Sequence, residues 1–200
     1  MTRVDVWFDP SCPWTWVTTR WLVEGVQPQQ ELDLQWHLMS LAVLNEGKDL
    51  PQEYADKMST ARRTLRVFTA VSDTSGQQAL GRLYTALGER LHRQQRTPDE
   101  ALVSEALAEA GLDTSLVAAL DEPQWDEAVR ASHDAGQAAV GEPTGSPVLQ
   151  LEGRAHFGPV LTAVPRGAGA LRLFDGLRAL ASTPEFSELK HPRTGPPDLA

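Results

Sequence analysis

The stretch FDPSCPWTW, residues 8–16, contains a turn, the only cysteine of the chain and the start of a helix. Residues 4–8 alternate and are rich in β-forming side chains, which predicts a first strand. Residues 9–11 are typical of a turn. Pro13 suits the first position of a helix, where its missing N–H is not needed. The pattern therefore predicts that Cys12 lies where a strand is followed by a helix.

A cysteine at a helix N-terminus is a candidate nucleophile, because the thiolate and not the thiol is the reactive species. The unpaired N–H groups and the positive end of the helix dipole favour the anion. We therefore expect a lowered pKa for Cys12, since thiols at such places reach values of about 3.5–7.5. The alternative is that Cys12 is a buried apolar residue without a chemical role, as free cysteines often are.

The rest of the chain predicts a βαβ unit, a series of helices, and a hairpin followed by a last helix. The first helix is predicted over residues 13–26 and a second strand over residues 32–38, which together form a parallel βαβ unit. The helical segments that follow are predicted over residues 51–70, 76–93, 97–111, 113–120 and 123–139. Two short strands over residues 148–151 and 154–157 form a predicted hairpin, and a last helix follows over residues 168–182.

Within the third helical segment, the residues Thr97-Pro98-Asp99-Glu100 predict a specific start. Thr97 is the expected cap, Pro98 the first helical residue, and Glu100 stands three residues after the cap.

This order of elements resembles that of an α/β protein with a thioredoxin-like fold and an inserted all-helical subdomain. Such an arrangement is called DsbA-like. The core is predicted over residues 1–50 and 136–190, and the inserted helices over residues 51–135. A cleft between the two parts is a common place for a ligand. Residues 191–200 are rich in proline and are predicted to form a flexible tail.

The composition of the chain argues against several classes of partner and of binding site. The net charge of −9 argues against nucleic acid or an anionic membrane surface as a partner. The sequence shows neither a run of about 18 apolar residues nor the pattern of a signal peptide, so we expect a cytoplasmic protein. A single cysteine excludes an internal disulfide and a cysteine-rich zinc site, and no metal is expected.

Residues 8–16 resemble the active-site segment of DsbA-like oxidoreductases, and the nearer resemblance is to the mycothiol-dependent nitroreductase and reductase branch of actinobacteria. Further likeness lies in residues 39–48, 157–161 and 164–167, and the resemblance runs from the N-terminus to about Lys190. It implies the thioredoxin-like fold, no tightly bound cofactor, and a low-molecular-weight thiol such as mycothiol as cosubstrate.

The usual motif of that family is Cys-Pro-Trp-Cys, and here Thr15 stands in place of the second cysteine. Release of product by a second thiol of the same chain is therefore impossible. A monothiol route remains, in which Cys12 forms a mixed disulfide that a second small thiol resolves. Thr15 is a candidate donor of a hydrogen bond to the Cys12 thiolate. The alternative is that Thr15 is an ordinary threonine of the helix surface.

The resemblance also implies substrate-binding residues. Pro147 is expected in the cis form beside the cysteine, so that the backbone of Ser146 faces an extended thiol substrate. Pro13 and Trp14 of the motif are expected to contact substrate, Trp14 by stacking on a ring. Independently of the resemblance, the loop of residues 157–167 is expected to border the site because it follows the strand paired beside Pro147, and Arg166 of this loop is a candidate for binding a carboxylate of the substrate.

Two other functions stay open. Kappa-class glutathione transferases and hydroxychromene carboxylate isomerases share the split fold, and they use a serine at the position of Cys12. A redox-inactive binding protein is the third possibility, because loss of the second cysteine is compatible with lost turnover. The expected partner is a small thiol or disulfide, and a homodimer is compatible with the sequence.

Overall fold

The structure is a computed structural model that describes residues 1–199, and it is a mixed α/β protein. Its strands and α-helices are β1 Thr2–Phe8, α1 Pro13–Arg20, β2 Leu32–Leu38, α2 Leu41–Leu44, α3 Gln52–Ser75, α4 Gln78–Gly88, α5 Glu100–Glu109, α6 Asp126–Val140, β3 Val148–Leu151, β4 Arg154–Phe157 and α7 Gly167–Ala181. One turn of π-helix extends α1 over Trp21–Val26 and another extends α4 over Glu89–Arg93, while 3₁₀ segments occupy Thr114–Asp121 and Pro123–Trp125.

The four strands form one sheet in the order β2-β1-β3-β4. The predicted parallel pairing of β1 with β2 is confirmed, with Val6 opposite Trp36. The other two pairs, β1 with β3 and β3 with β4, are antiparallel. Because β1 is an inner strand and is buried from Val4 to Phe8, the turn that follows it lies at the middle of one edge of the sheet. The start of β3 lies beside that turn.

The sequence patterns located the strands well and the helix ends less well. The bounds of β2, β3 and β4 agree with the predicted ones. Helix α3 continues to Ser75 instead of ending near residue 70, because Val71 extends its buried face and Gly76, with φ of +79°, ends it. The short helix α2 was not predicted. Four residues are too few to show the helical spacing of apolar side chains. The start of α2 depends on the Ser40 hydroxyl, which accepts a hydrogen bond from the Val43 N–H.

The predicted start of α5 was wrong. The helix begins at Glu100, and its cap is Asp99, whose carboxylate accepts a hydrogen bond of 2.8 Å from the Leu102 N–H. A cap must have an extended backbone and an acceptor facing the first turn. Asp99 meets both conditions with φ of −101° and ψ of 176°, so Thr97 and Pro98 lie before the helix.

We expect Asp99→Ala to lower the free energy of unfolding by about 1 kcal/mol, because the first turn of α5 loses its acceptor. Thr97→Ala is the matched control and should change stability by less than about 0.5 kcal/mol. Urea unfolding of the two variants measures both values, and equal losses would contradict Asp99 as the cap.

The core is formed by both the sheet and the helices around it. Trp16, Trp21 and Trp36 are all buried in this core. Phe8 at the end of β1 packs edge-on against Phe68 of α3 and stacks on Tyr84 of α4, with ring centroids 5.6 and 4.3 Å apart. The helices of residues 51–135 therefore share one core with the sheet. Their division into a separate subdomain stays a prediction.

The segment after residue 190 contains neither helix nor strand within the described residues, yet it contacts the rest of the chain. The Asp198 N–H donates to the Thr162 carbonyl at 2.7 Å, and the Arg93 guanidinium donates to the Leu199 carbonyl at 3.3 Å. Arg193 lies over the Trp14 ring. Among residues 1–199, no helix combines the length and the apolar character needed to cross a bilayer.

Candidate active site

Cys12 lies where the sequence predicted it, between β1 and α1. It is the N-cap residue of α1, with φ of −83° and ψ of 113°, and Pro13 is the first helical residue. The Cys12 N–H donates to the Asp9 carbonyl at 3.0 Å, which closes the turn, and the Cys12 carbonyl accepts from the Trp16 N–H at 3.1 Å. The backbone of Cys12 is therefore held at the first turn of the helix.

The prediction of a lowered pKa for Cys12 was wrong. The residue is only 5% exposed, and this burial raises the pKa of the thiol because it removes the thiolate from water. The Thr15 hydroxyl and the N–H groups of Thr15 and Trp14 act in the opposite direction and lower this pKa, while the nearby Asp9 carboxylate raises it. The helix terminus thus moderates the effect of burial without reversing it.

The segment before β3 meets Cys12 across 134 residues of sequence. The Ser146–Pro147 peptide bond is cis. The Cys12 thiol donates to the Ser146 carbonyl, with a distance of 3.5 Å between sulfur and oxygen. The Pro147 carbonyl accepts from the Gly158 N–H at 2.9 Å. The structure therefore brings together Cys12, Ser146 and Pro147, which are far apart in the sequence.

Thr15 is fully buried, so the alternative of a helix-surface threonine is wrong. Its hydroxyl oxygen lies 2.6 Å from that of Ser146. The Ser146 hydroxyl also accepts a hydrogen bond of 3.1 Å from the Asp9 N–H. The side chain of Ser146, which sequence reasoning missed, therefore connects Asp9, the residue after β1, to Thr15.

Asp9 is a buried carboxylate of this site that sequence reasoning missed. Its two oxygens accept hydrogen bonds from the Ser11 N–H at 2.8 Å, the Ser11 hydroxyl at 2.6 Å and the Leu41 N–H at 2.7 Å. Burial raises the pKa of Asp9, while these three bonds lower it. The contact with Ser11 is an Asx-turn, for which Asp-Pro-Ser is a readable signal. The bond to Leu41 joins the turn to α2.

His92 is the second residue that was missed, and it comes from the inserted helices. Its Nε2–H donates to the Pro10 carbonyl at 2.9 Å, and its ring lies 5.4 Å from that of Trp16. Burial lowers the pKa of His92 to about 4, so the ring is neutral at neutral pH. No local signal marks it, because its partner is 82 residues away.

The other predicted substrate-binding residues lie at different distances from this network. Pro13 and Trp14 are half-buried, and the Arg193 guanidinium lies 4.9 Å from the centroid of the Trp14 ring. Arg166 is exposed and forms an ion pair of 3.4 Å with Glu24. Its binding of a substrate carboxylate stays a prediction.

A surface cavity lies away from Cys12. Its volume is about 570 Å³, and Leu34, Trp36, Gly81 and Arg82 are among the residues that line it. None of its lining residues belongs to the Cys12 turn or to the segment before β3. Among residues 1–199, no group of three His, Cys, Asp or Glu side chains is arranged to hold a metal ion.

Comparison with solved structures gives the class of the protein. The chain is similar to a protein described as a probable DsbA oxidoreductase, SCO1869 from Streptomyces coelicolor, with a TM-score of 0.61, 19% identity, and coverage of 97% of this chain and 95% of that one. It is also similar to a 2-hydroxychromene-2-carboxylate isomerase, with a TM-score of 0.59, 18% identity, and coverage of 89% and 94%. The fold and the placement of Cys12 define a DsbA-like protein of thioredoxin fold.

Comparison of sequences then gives the family. Residues 11–191 match the model of the Rv2466c-like family, described as mycothiol-dependent nitroreductase Rv2466c. The chain is 34% identical over 198 residues to the uncharacterized protein Rv2286c of Mycobacterium tuberculosis (strain ATCC 25618 / H37Rv), covering 97% of this chain and 84% of that protein. The chain therefore belongs to the Rv2466c-like family and is an oxidoreductase of the DsbA-like class.

Proposed function

We propose that this protein is a monothiol thiol–disulfide oxidoreductase that uses a low-molecular-weight thiol, with mycothiol as the cosubstrate suggested by its family. The observation that supports it best is the contact of the Cys12 sulfur with Ser146, beside Pro147 and at the first turn of α1. The proposed nucleophile therefore lies beside the backbone that is proposed to bind the substrate. Thr15 occupies the position of a resolving thiol, so resolution comes from a second small thiol.

The proposed reaction has two exchange steps. The Cys12 thiolate attacks one sulfur of a disulfide, the old S–S bond breaks, and the other sulfur leaves as a thiolate that takes up a proton. A free small thiol, as its thiolate, then attacks the mixed disulfide at the sulfur of the substrate, forms a new disulfide and releases Cys12. Pro13, Trp14, Ser146 and Pro147 are the proposed substrate-binding residues. A reducing compartment such as the cytoplasm suits this cycle, because it supplies the free thiol.

The first test is intact mass after incubation with oxidised mycothiol. We expect one added mycothiol on the wild type, none on Cys12→Ser, and loss of the adduct when free mycothiol is supplied. Thr15→Cys is the matched variant: a cysteine at position 15 can attack the adduct, release mycothiol and close a disulfide to Cys12. Its adduct should therefore be short-lived without added thiol. A wild type that forms no adduct would contradict the proposal.

A second candidate function is a glutathione-transferase-like or isomerase-like reaction. The raised pKa of the buried Cys12 supports it, because a neutral thiol can donate a hydrogen bond to a bound thiolate as a serine hydroxyl would. In that case the protein activates a small thiol without forming an adduct, and Cys12→Ser keeps activity. A protein that binds the thiol and neither exchanges nor activates it is the third outcome of the same assay.

A further inference from the structure

The hydroxyl of Ser146 has no role in the exchange reaction as described, yet it lies inside the site. Ser146 is 5% exposed and Thr15 is fully buried, so solvent offers their hydroxyls no alternative partners. The two oxygens lie 2.6 Å apart, which is a short hydrogen bond in which either atom can be the donor. Which of them donates decides where the other hydrogen points.

The third partner of Ser146 favours one direction. The Asp9 N–H can only donate, and it does so to the Ser146 hydroxyl oxygen at 3.1 Å. If Ser146 donates to Thr15, then the Thr15 hydrogen is free for the Cys12 sulfur, the group whose pKa the Thr15 hydroxyl lowers, and each hydroxyl of the pair has an acceptor. If Thr15 donates to Ser146, the Ser146 hydrogen has no acceptor among the contacts described for the site. A buried O–H without an acceptor is unfavourable, so the first direction is preferred.

We propose that the Ser146 hydroxyl is a positioning residue, which orients the Thr15 hydroxyl so that its hydrogen points at the Cys12 sulfur. The chain of donors then runs from the Asp9 N–H to the Ser146 oxygen, and from the Ser146 hydroxyl through the Thr15 hydroxyl to Cys12. In the thiol form, Cys12 donates to the Ser146 carbonyl. When the sulfur is ionised that bond is lost, and the oriented hydrogen of Thr15 becomes its side-chain partner.

This inference rests on the proposed function, because a donor to the Cys12 sulfur is useful only if the thiolate attacks or leaves in the exchange reaction. The other ionisable groups around the sulfur do not replace that donor. The Asp9 carboxylate raises the pKa of Cys12. Tyr84 is buried with a raised pKa and His92 has a pKa of about 4, so both are neutral near pH 7. Arg193 has its guanidinium over the Trp14 ring.

The test is the pKa of Cys12, measured from the rate of alkylation by iodoacetamide against pH and followed by intact mass. We expect Thr15→Val to raise this pKa by about 1 to 2 units, because a hydrogen bond to the charged sulfur is lost. Ser146→Ala should raise it by about 1 unit. The double variant should raise it no more than Thr15→Val alone, because Ser146 acts through Thr15.

Two conservative variants separate orientation from mere packing. Thr15→Ser and Ser146→Thr both keep the hydroxyl, and we expect both to keep the wild-type pKa of Cys12. An unchanged pKa in Ser146→Ala alongside a raised one in Thr15→Val would overturn the inference, and so would additive shifts in the double variant. The alkylation assay needs no mycothiol, so it can succeed where the adduct assay fails, and the two ideas are separately testable.

Discussion

We expect Gly88→Ala to lower the free energy of unfolding by about 3 kcal/mol, although it replaces glycine by the best helix former. Gly88 is the last residue of α4 and has an ordinary helical φ of −64°. A Cβ there would come within 3.0 Å of Cζ3 and Cε3 of the Trp16 ring. Trp16 is 1% exposed and is packed against Tyr84 and His92. The ring therefore has no free space into which it can move.

Gly176→Ala in α7 is the matched control. A Cβ at Gly176 meets nothing within 4 Å, so the same substitution should stabilise the protein by about 0.5 to 1 kcal/mol through helix propensity alone. Combining Gly88→Ala with Trp16→Leu should cost less than the sum of the two single changes, because the smaller side chain removes the overlap. Urea unfolding measures all four variants. A Gly88→Ala protein as stable as the wild type would contradict close packing of α4 on α1.

The second large effect is a pH dependence that comes from His92. Its pKa is about 6.5 in the unfolded chain and about 4 when folded, because burial disfavours the charged ring. Between these values the unfolded chain binds a proton that the folded chain does not, so stability rises with pH across this window. We expect His92 to contribute a loss of about 3 kcal/mol as the pH falls from 7 to below 4, and no further change above about pH 7.

His92→Gln isolates this contribution, since glutamine keeps an N–H donor for the Pro10 carbonyl and does not titrate. We expect the unfolding free energy, measured from pH 4.5 to 7.5, to depend on pH less steeply in this variant. The difference in slope corresponds to at most one proton taken up on unfolding. The difference between the two proteins matters, because burial also lowers the pKa of His133 and of His156. His191→Gln in the exposed tail is the control and should follow the wild type. Parallel curves for the wild type and His92→Gln would show that His92 is not buried as described.

Local signals in the sequence predicted the framework of this site. Alternation predicted β1, two short strands close in sequence predicted the hairpin of β3 and β4, and Pro13 marked the start of α1. These signals come from residues within a few positions of one another, so the sequence displays them directly. The cap of α5 shows the limit of such reasoning, because Thr97 and Asp99 are both good caps and only the path of the backbone selected Asp99.

The electrostatics of Cys12 could not be read in the same way. The helix N-terminus is visible in the sequence, and it predicts a lowered pKa. Burial is produced by the whole fold, and it raises the pKa instead. His92 illustrates the same limit, since it reaches the turn of Cys12 from the inserted helices and follows no motif.

The sequence by itself determined where a thiol meets a helix, which residue replaces its usual second thiol, and to which family the chain is similar. Those properties depend on neighbours along the chain. Only the tertiary structure decided that Asp9 and His92 hold the turn of that thiol, that the Ser146 hydroxyl contacts Thr15, and that the thiol is removed from water. The hydrogen bonds around Ser146 join residues up to 137 positions apart, and such contacts exist only once the chain has folded.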